Sequence, residues 1–316
     1  MAMFLGEYSI WLVLAFFGII GGSLWLDLKA HNADEPVTIK NALVWSAFWI
    51  ALAVGFSGYL WYAYGAEKFS AFLAGYFLEK SLSVDNLFVM MAIFGSFSIT
   101  EKYQHRVLYY GILGALVLRM LFIAFGTSLA ALSEWVMVGF GAFVIFTAWK
   151  MYSSDGGDEE IEDYSNHFAV KWTKKIFPIS TKLDGHNFFT MEGLVRCATP
   201  LFLALVCIEF SDLAFAFDSV PAVIAVTKDP LLVYTSNIFA ILGLRSLYFV
   251  LMAAKDYLIY LENAVIGILV FIGLKMILGA LGILHISSSI SLMVVLGGIL
   301  VGILASIFIK PVEAVS

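Results

Sequence analysis

Ten ionisable side chains stand inside stretches that are otherwise apolar, and they are the residues with chemistry to offer. The acids are Glu79, Asp85, Glu209, Asp212 and Asp218; the bases are Lys80, Arg119, Lys150, Arg245 and Lys275. Each costs about 2.5–3.5 kcal/mol at the centre of a bilayer on insertion scales, so each asks for a reason. Lys150, near the end of its run, can snorkel to the surface. Carboxylates joined by the oxygens of Asn86 and Ser219 form a hard environment suited to Mg²⁺, Ca²⁺ or Mn²⁺ and unsuited to Cu⁺ or a dedicated Zn²⁺ site. No His adjoins these motifs, and Cys207 is the one nearby thiol. The plainer explanation is that Lys80, Arg119, Arg245 and Lys275 neutralise the acids and pin helices together, because an unpaired buried charge is the costlier state. Pairing alone does not explain why the acids cluster in two equivalent segments.

Those segments repeat. Glu79-Lys-Ser-Leu-Ser-Val-Asp85-Asn86 and Asp212-Leu-Ala-Phe-Ala-Phe-Asp218-Ser219 both read acid, five residues, Asp, then a small amide or hydroxyl. Leu116-Val-Leu-Arg119 returns as Leu242-Gly-Leu-Arg245, and Phe146-Thr-Ala-Trp-Lys150-Met as Phe271-Ile-Gly-Leu-Lys275-Met. The three landmarks keep their order at offsets of 133, 126 and 125 residues. Three spans per copy is an odd number, so the second copy must be inverted, with the substrate near the midplane where the copies meet. Six residues turn an ideal helix by about 600°, which leaves the paired acids about 120° apart. Pro221 gives a reason for distortion, since it cannot donate to the carbonyl of Phe217. Asn237 is a candidate for polar support by interhelical hydrogen bonding.

The elements that carry these residues follow from composition. Of 316 residues 61% are hydrophobic and 13% charged, and the mean hydropathy is +0.93, outside the range of a soluble domain. Nine apolar runs are expected to span a bilayer: 8–28, 40–63, 69–97, 107–131, 134–152, 196–224, 233–254, 262–283 and 288–309. The expected fold is all-α and polytopic, a 3+3 inverted repeat (67–152 and 196–283) preceded by two helices (1–66) and followed by one (284–316). The first run lacks a basic start and a cleavage site, so it does not read as a signal peptide. Net charge of −6 without a basic patch excludes a nucleic-acid partner. Cys197 and Cys207, ten residues apart in one expected helix, would lie about 15 Å apart, too far for a disulfide. Eleven Lys and Arg between spans fall on one side and two, Lys68 and Lys228, on the other, which places the N-terminus outside and the C-terminus in the cytoplasm. The long loop 153–195 opens with an acidic run reading as a solvated linker. Within it Tyr164, Phe168, Trp172 and Ile176 recur every four residues among Lys171, Lys174 and Lys175, the pattern of a short amphipathic helix on the membrane surface.

Glu79-Lys-Ser-Leu-Ser-Val-Asp85-Asn86-Leu-Phe-Val resembles the first signature of the TerC family of integral membrane proteins. Ile208-Glu209-Phe-Ser-Asp212-Leu-Ala-Phe-Ala-Phe-Asp218-Ser219-Val-Pro221-Ala resembles the second, and Thr235-Ser-Asn237 through Arg245-Ser-Leu-Tyr-Phe the block after it. Length, span number and the central loop are similar to the Alx branch. The resemblance implies export of Mn²⁺ from the cytoplasm across a bacterial inner membrane, and carries older labels of tellurium resistance and redox modulation. It makes Glu79, Asp85, Asp212 and Asp218 the metal positions; because the sixth span enters from the cytoplasm, Glu209 is added as an auxiliary facing that side. Asn86 and Ser219 would complete the shell, and Arg119 and Arg245 would hold or replace charge. No permanently bound cofactor is implied; Mn²⁺ is the substrate ion, with proton exchange as a candidate coupling. The competing expectation is a non-transporting scaffold for secretion or metal-loading partners. An enzyme is not expected: the Gly-x-Gly-Asp pattern of intramembrane aspartic proteases is absent, as are dinucleotide and phosphate-loop fingerprints.

Overall fold

A computed structural model describes residues 8–30, 38–153, 167–254 and 260–309, except the side chains of 27–30, Asp218 and Ala254. Eleven helices and one hairpin make up these residues: α1 (Ile10–Ala30), α2 (Ile39–Tyr64), α3 (Ala66–Ser96), α4 (Glu101–Leu132), α5 (Glu134–Ser153), α6 (Phe168–Ile176), β1 (Phe189–Glu192), β2 (Val195–Ala198), α7 (Pro200–Val226), α8 (Pro230–Ile241), α9 (Leu244–Ala254), α10 (Leu261–Ala280) and α11 (Ser288–Phe308). The all-α polytopic fold is as expected. By length and apolarity six helices can cross a membrane: α2, α4, α5, α7, α10 and α11. A seventh span arises if α8 and α9, bent by 49° at their break, count as one. The two other expected runs fall short of that measure for separate reasons. The side chains of α1 are described only as far as Leu26, and α3, at 31 residues and about 46 Å the second longest helix, carries Glu79, Lys80 and Asp85 in its middle third.

Two compact units divide the chain: Met1–Thr38, Asn86–Arg119 and Gly156–Phe215 form one, and Ile39–Asp85, Met120–Asp155 and Ala216–Ser316 the other. The helices α3, α4 and α7 pass from one unit to the other.

In the larger unit Phe56 of α2, Phe72 of α3 and Phe239 of α8 pack with ring centroids 4.9–5.7 Å apart. The helices α5 and α10 cross at glycines. A Cβ on Gly141 would come within 2.8 Å of the Gly273 carbonyl, and one on Gly273 within 2.8 Å of the Gly141 carbonyl. Only residues without side chains allow two backbones this near. The start of α8 is written in sequence. Asp229 caps it, accepting from the N–H groups of Leu231 and Leu232, and Pro230 takes the first helical position.

Three expectations change in the described structure. The run 233–254 is not one helix: α8 stops at Ile241 and α9 begins at Leu244, with Gly243 between them at φ +84°. A glycine just past the last turn is the residue that ends a helix in the left-handed region, and here it also lies against Trp49, where a Cβ would collide with the indole. The run 196–224 begins as a strand. Arg196 and Cys197 belong to β2, so the two cysteines do not share a helix; both are free and buried. Glycine explains the hairpin: Gly193, φ +64°, takes the first central position of a two-residue turn, where positive φ is required. Finally, α7 runs unbroken through Pro221 to Val226, so the expected distortion there does not interrupt the helix. The acidic run 155–160 lies outside the described residues.

Candidate functional site

In the larger unit the start of the first acid motif, on α3, meets α8 directly. Glu79, fully buried on α3, accepts a 3.1 Å hydrogen bond at Oε2 from Nδ2 of Asn237, itself fully buried on α8. A carboxylate in an apolar interior needs such donors, so the expected polar support from Asn237 has a definite object. Its neighbour Lys80 does not pair with a carboxylate among the described residues. The ammonium donates to the carbonyl of Ala240 at 3.1 Å, in the last turn of α8. The break at Gly243 leaves that turn without onward helical donors, and a cation there suits both the lone pair and the helix dipole. Arg245 is buried in the first turn of α9, immediately past the break.

Six residues along α3, Asp85 is half-buried and no hydrogen bond holds its carboxylate among the described residues. The carboxylate of Glu262, in the first turn of α10, lies within electrostatic reach of it. Sequence reading passed over Glu262, because an acid in a first helical turn has a ready explanation in the helix dipole. Ser219 is buried, and its Oγ has no hydrogen-bond partner among the described residues.

Lys275 follows the rule of Lys80. It is buried on α10, and Nζ donates to Ser291 Oγ at 2.8 Å and to the carbonyl of Val226, the last residue of α7, at 3.4 Å. It also lines a cavity of about 490 Å³ with Glu67, Glu134, Lys228 and His285. Since Glu134 opens α5 and Lys275 lies toward the end of α10, those two helices run antiparallel there.

In the smaller unit Arg119 of α4, fully buried, donates from one terminal nitrogen to Asp212 Oδ1 of α7 at 3.1 Å. Asp212 Oδ2 has no hydrogen-bond partner among the described residues. One turn earlier, Glu209 is half-buried, with Oε2 likewise unmatched, and its carboxylate fills the notch left by Gly114 on α4; a Cβ there would coincide with it. Asn86 is buried in the same unit. The Asp218 side chain lies outside the described residues. Among those described, no three His, Cys, Asp or Glu side chains gather into a group able to hold a metal ion. What is present is a set of single carboxylates: Glu79 with an amide, Asp212 with a guanidinium, Glu209 in a glycine notch, and Asp85 with no hydrogen bond among the described residues.

Residues 64–314 match the family profile described as Integral membrane protein TerC family. The chain belongs to that family. This TerC-family chain is 48% identical to the tellurium resistance protein TerC of Serratia marcescens, with 93% of each chain covered. It is 42% identical to the chloroplastic thylakoid membrane protein TERC of Arabidopsis thaliana, over 91% of this chain and 73% of that one. Alx of Escherichia coli (strain K12), named as a candidate membrane-bound redox modulator, is 39% identical over 90% of this chain and 88% of its own. No solved structure matches it. The family match takes in every charged motif residue of both copies and begins at the last residue of α2, leaving α1 outside.

Proposed function

We propose that this TerC-family protein is a secondary transporter that exports divalent cations, Mn²⁺ foremost, from the cytoplasm of a bacterial cell across the inner membrane. The observation that carries the reading is the duplicated acid motif on α3 and α7, two long helices of an otherwise apolar bundle. Asp85 and Asp212 of that motif, and Glu209 one turn before its second copy, have oxygen atoms that no hydrogen bond fully satisfies among the described residues. A structural ion-pair network would use those oxygens up. Leaving them available, at the expense of placing charge in an apolar medium, suits a group that must accept and release an ion.

In this mechanism Glu79, Asp85, Asp212 and Asp218 are the carboxylates that take the ion along its path, with Glu209 as the cytoplasm-facing acid. Asn86 and Ser219 add neutral oxygens. Arg119 is the competitor that the ion meets at Asp212, and displacement of its guanidinium links metal occupancy to the α4–α7 contact. The antiparallel crossing of α5 and α10 supports an inverted relation between the copies. The uneven distribution of Lys and Arg supports an outside N-terminus.

Proteoliposome flux tests this. Mn²⁺ uptake by inside-out vesicles should saturate, and Asp85→Asn and Asp218→Asn should each abolish it while the proteins stay monodisperse. Uptake no greater than in protein-free vesicles, under every imposed pH gradient, would sink the transporter reading.

A further inference from the structure

The helix α6 divides into three sectors. At about 100° per residue, Ala169, Thr173 and Val170 share one side, and all three are buried. Phe168, Trp172 and Ile176 occupy the next, and they are 66%, 48% and 51% exposed. Lys171, Lys174 and Lys175 fill the third, all exposed, and none of them pairs with a carboxylate among the described residues.

The position of the helix settles what the exposed aromatics face. Both the Phe168 and the Trp172 rings contact Phe210 of α7, each at 6.1 Å between centroids. Phe210 lies ten residues past Pro200, about 15 Å along a helix that crosses the membrane. Past the end of α6, Phe177 packs on Phe189 and Phe202, at 5.4 and 5.8 Å, nearer the start of α7. The helix is therefore fastened along the first half of α7, on the side of that helix's N-terminus. If α7 spans a bilayer, the side of Phe168, Trp172 and Ile176 turned away from the protein faces the boundary between acyl chains and headgroups. Lysines set beside such a stripe rise to the headgroups.

We propose that α6 is a binding site for anionic phospholipid, with Phe168, Trp172 and Ile176 in the acyl boundary and Lys171, Lys174 and Lys175 holding the phosphate of the headgroup. Charge complementarity selects the ligand: three ammonium groups within nine residues, without carboxylate partners among the described residues, match a leaflet bearing phosphatidylglycerol-type headgroups. The site is independent of the transport reading and survives if that reading fails.

The test uses the full chain in nanodiscs, with bimane on Ile176→Cys; Cys197 and Cys207 are buried and stay in place. A nitroxide carried on a phospholipid headgroup should quench the label, and aqueous iodide should not. Quenching by nitroxide on phosphatidylglycerol should exceed that on phosphatidylcholine. This excess should fall about fivefold for each lysine replaced by Gln and persist when all three are replaced by Arg. Iodide quenching without lipid quenching would mean that the stripe faces water or a soluble partner. Equal quenching from both lipids would mean an apolar anchor without headgroup recognition. Either result overturns the proposal, and the Lys→Arg variant guards against misfolding as the cause.

Discussion

Gly114 offers the sharpest test of whether the described geometry positions an acid on purpose. A Cβ at this position coincides with the Glu209 carboxylate, so Gly114→Ala must push that carboxylate out of its notch. Forcing an extra carbon into a packed site costs about 1–3 kcal/mol, although the far end of a glutamate can yield, which favours the lower half of that range. Against it stands the helix propensity of alanine over glycine, worth about 1 kcal/mol in a helix interior. The two nearly cancel, and Gly114→Ala alone should change stability by at most about 1 kcal/mol. In a Glu209→Ala background the notch is empty and only the propensity remains, so the same substitution should stabilise by about 1 kcal/mol. The coupling energy of the cycle is then about 1–2 kcal/mol. Thermal or denaturant unfolding of the four purified proteins in one detergent reads it directly. Mn²⁺ flux gives a second reading, since Gly114→Ala should impair transport as much as Glu209→Ala does. Additive stabilities, with no coupling beyond the error, would show that Gly114 does not hold Glu209 and would refute the placement.

Two other contacts can be probed by unfolding alone. Gly243→Ala meets a strained φ of +84° and the Trp49 indole together, and should destabilise by about 1–3 kcal/mol; Trp49→Ala should recover the steric part and leave the backbone part, and no recovery would place the cost elsewhere. Asn237→Leu removes the donor to the buried Glu79 carboxylate and should cost about 2 kcal/mol. Glu79→Gln in the same background should restore part of that, because a neutral amide needs the donor less; a larger loss would contradict the pairing.

How much of this was legible in sequence depends on the range of each signal. Span positions follow from apolar runs, and the chemistry of the acids from their types, so both could be read residue by residue. The hairpin before α7 and the break after Ile241 each rest on a single glycine. Gly193 lay in a segment read only as loop, and at Gly243 the alternatives were a turn or an ordinary small residue in a helix, which only the neighbours decide. The partners of Lys80 and Lys275 were legible neither from type nor from spacing. A buried lysine near buried acids invites salt bridges, yet both donate to carbonyls in the last turns of α8 and α7. Backbone acceptors leave no trace in sequence, because every residue has one.

That division bears on which substitutions can speak about function. Glu79 and Lys80 are adjacent in the first motif, and both reach α8, one binding the Asn237 side chain and the other the carbonyl of Ala240. Changing either loosens a broken helix inside the membrane, so a loss of activity there would confuse folding with mechanism. Asp85 differs. It is half-buried, no hydrogen bond holds its carboxylate among the described residues, and burial and the like charge of Glu262 both oppose its ionised form. Two carboxylates within reach of each other repel, and replacing one by a neutral amide relieves that repulsion. Asp85→Asn should therefore leave stability unchanged or slightly improved. If it also abolishes flux, the stability measurement excludes misfolding as the cause. An Asp85→Asn protein that is clearly less stable than the native one would instead make this aspartate a structural residue, and the first motif would lose its best claim to hold an ion.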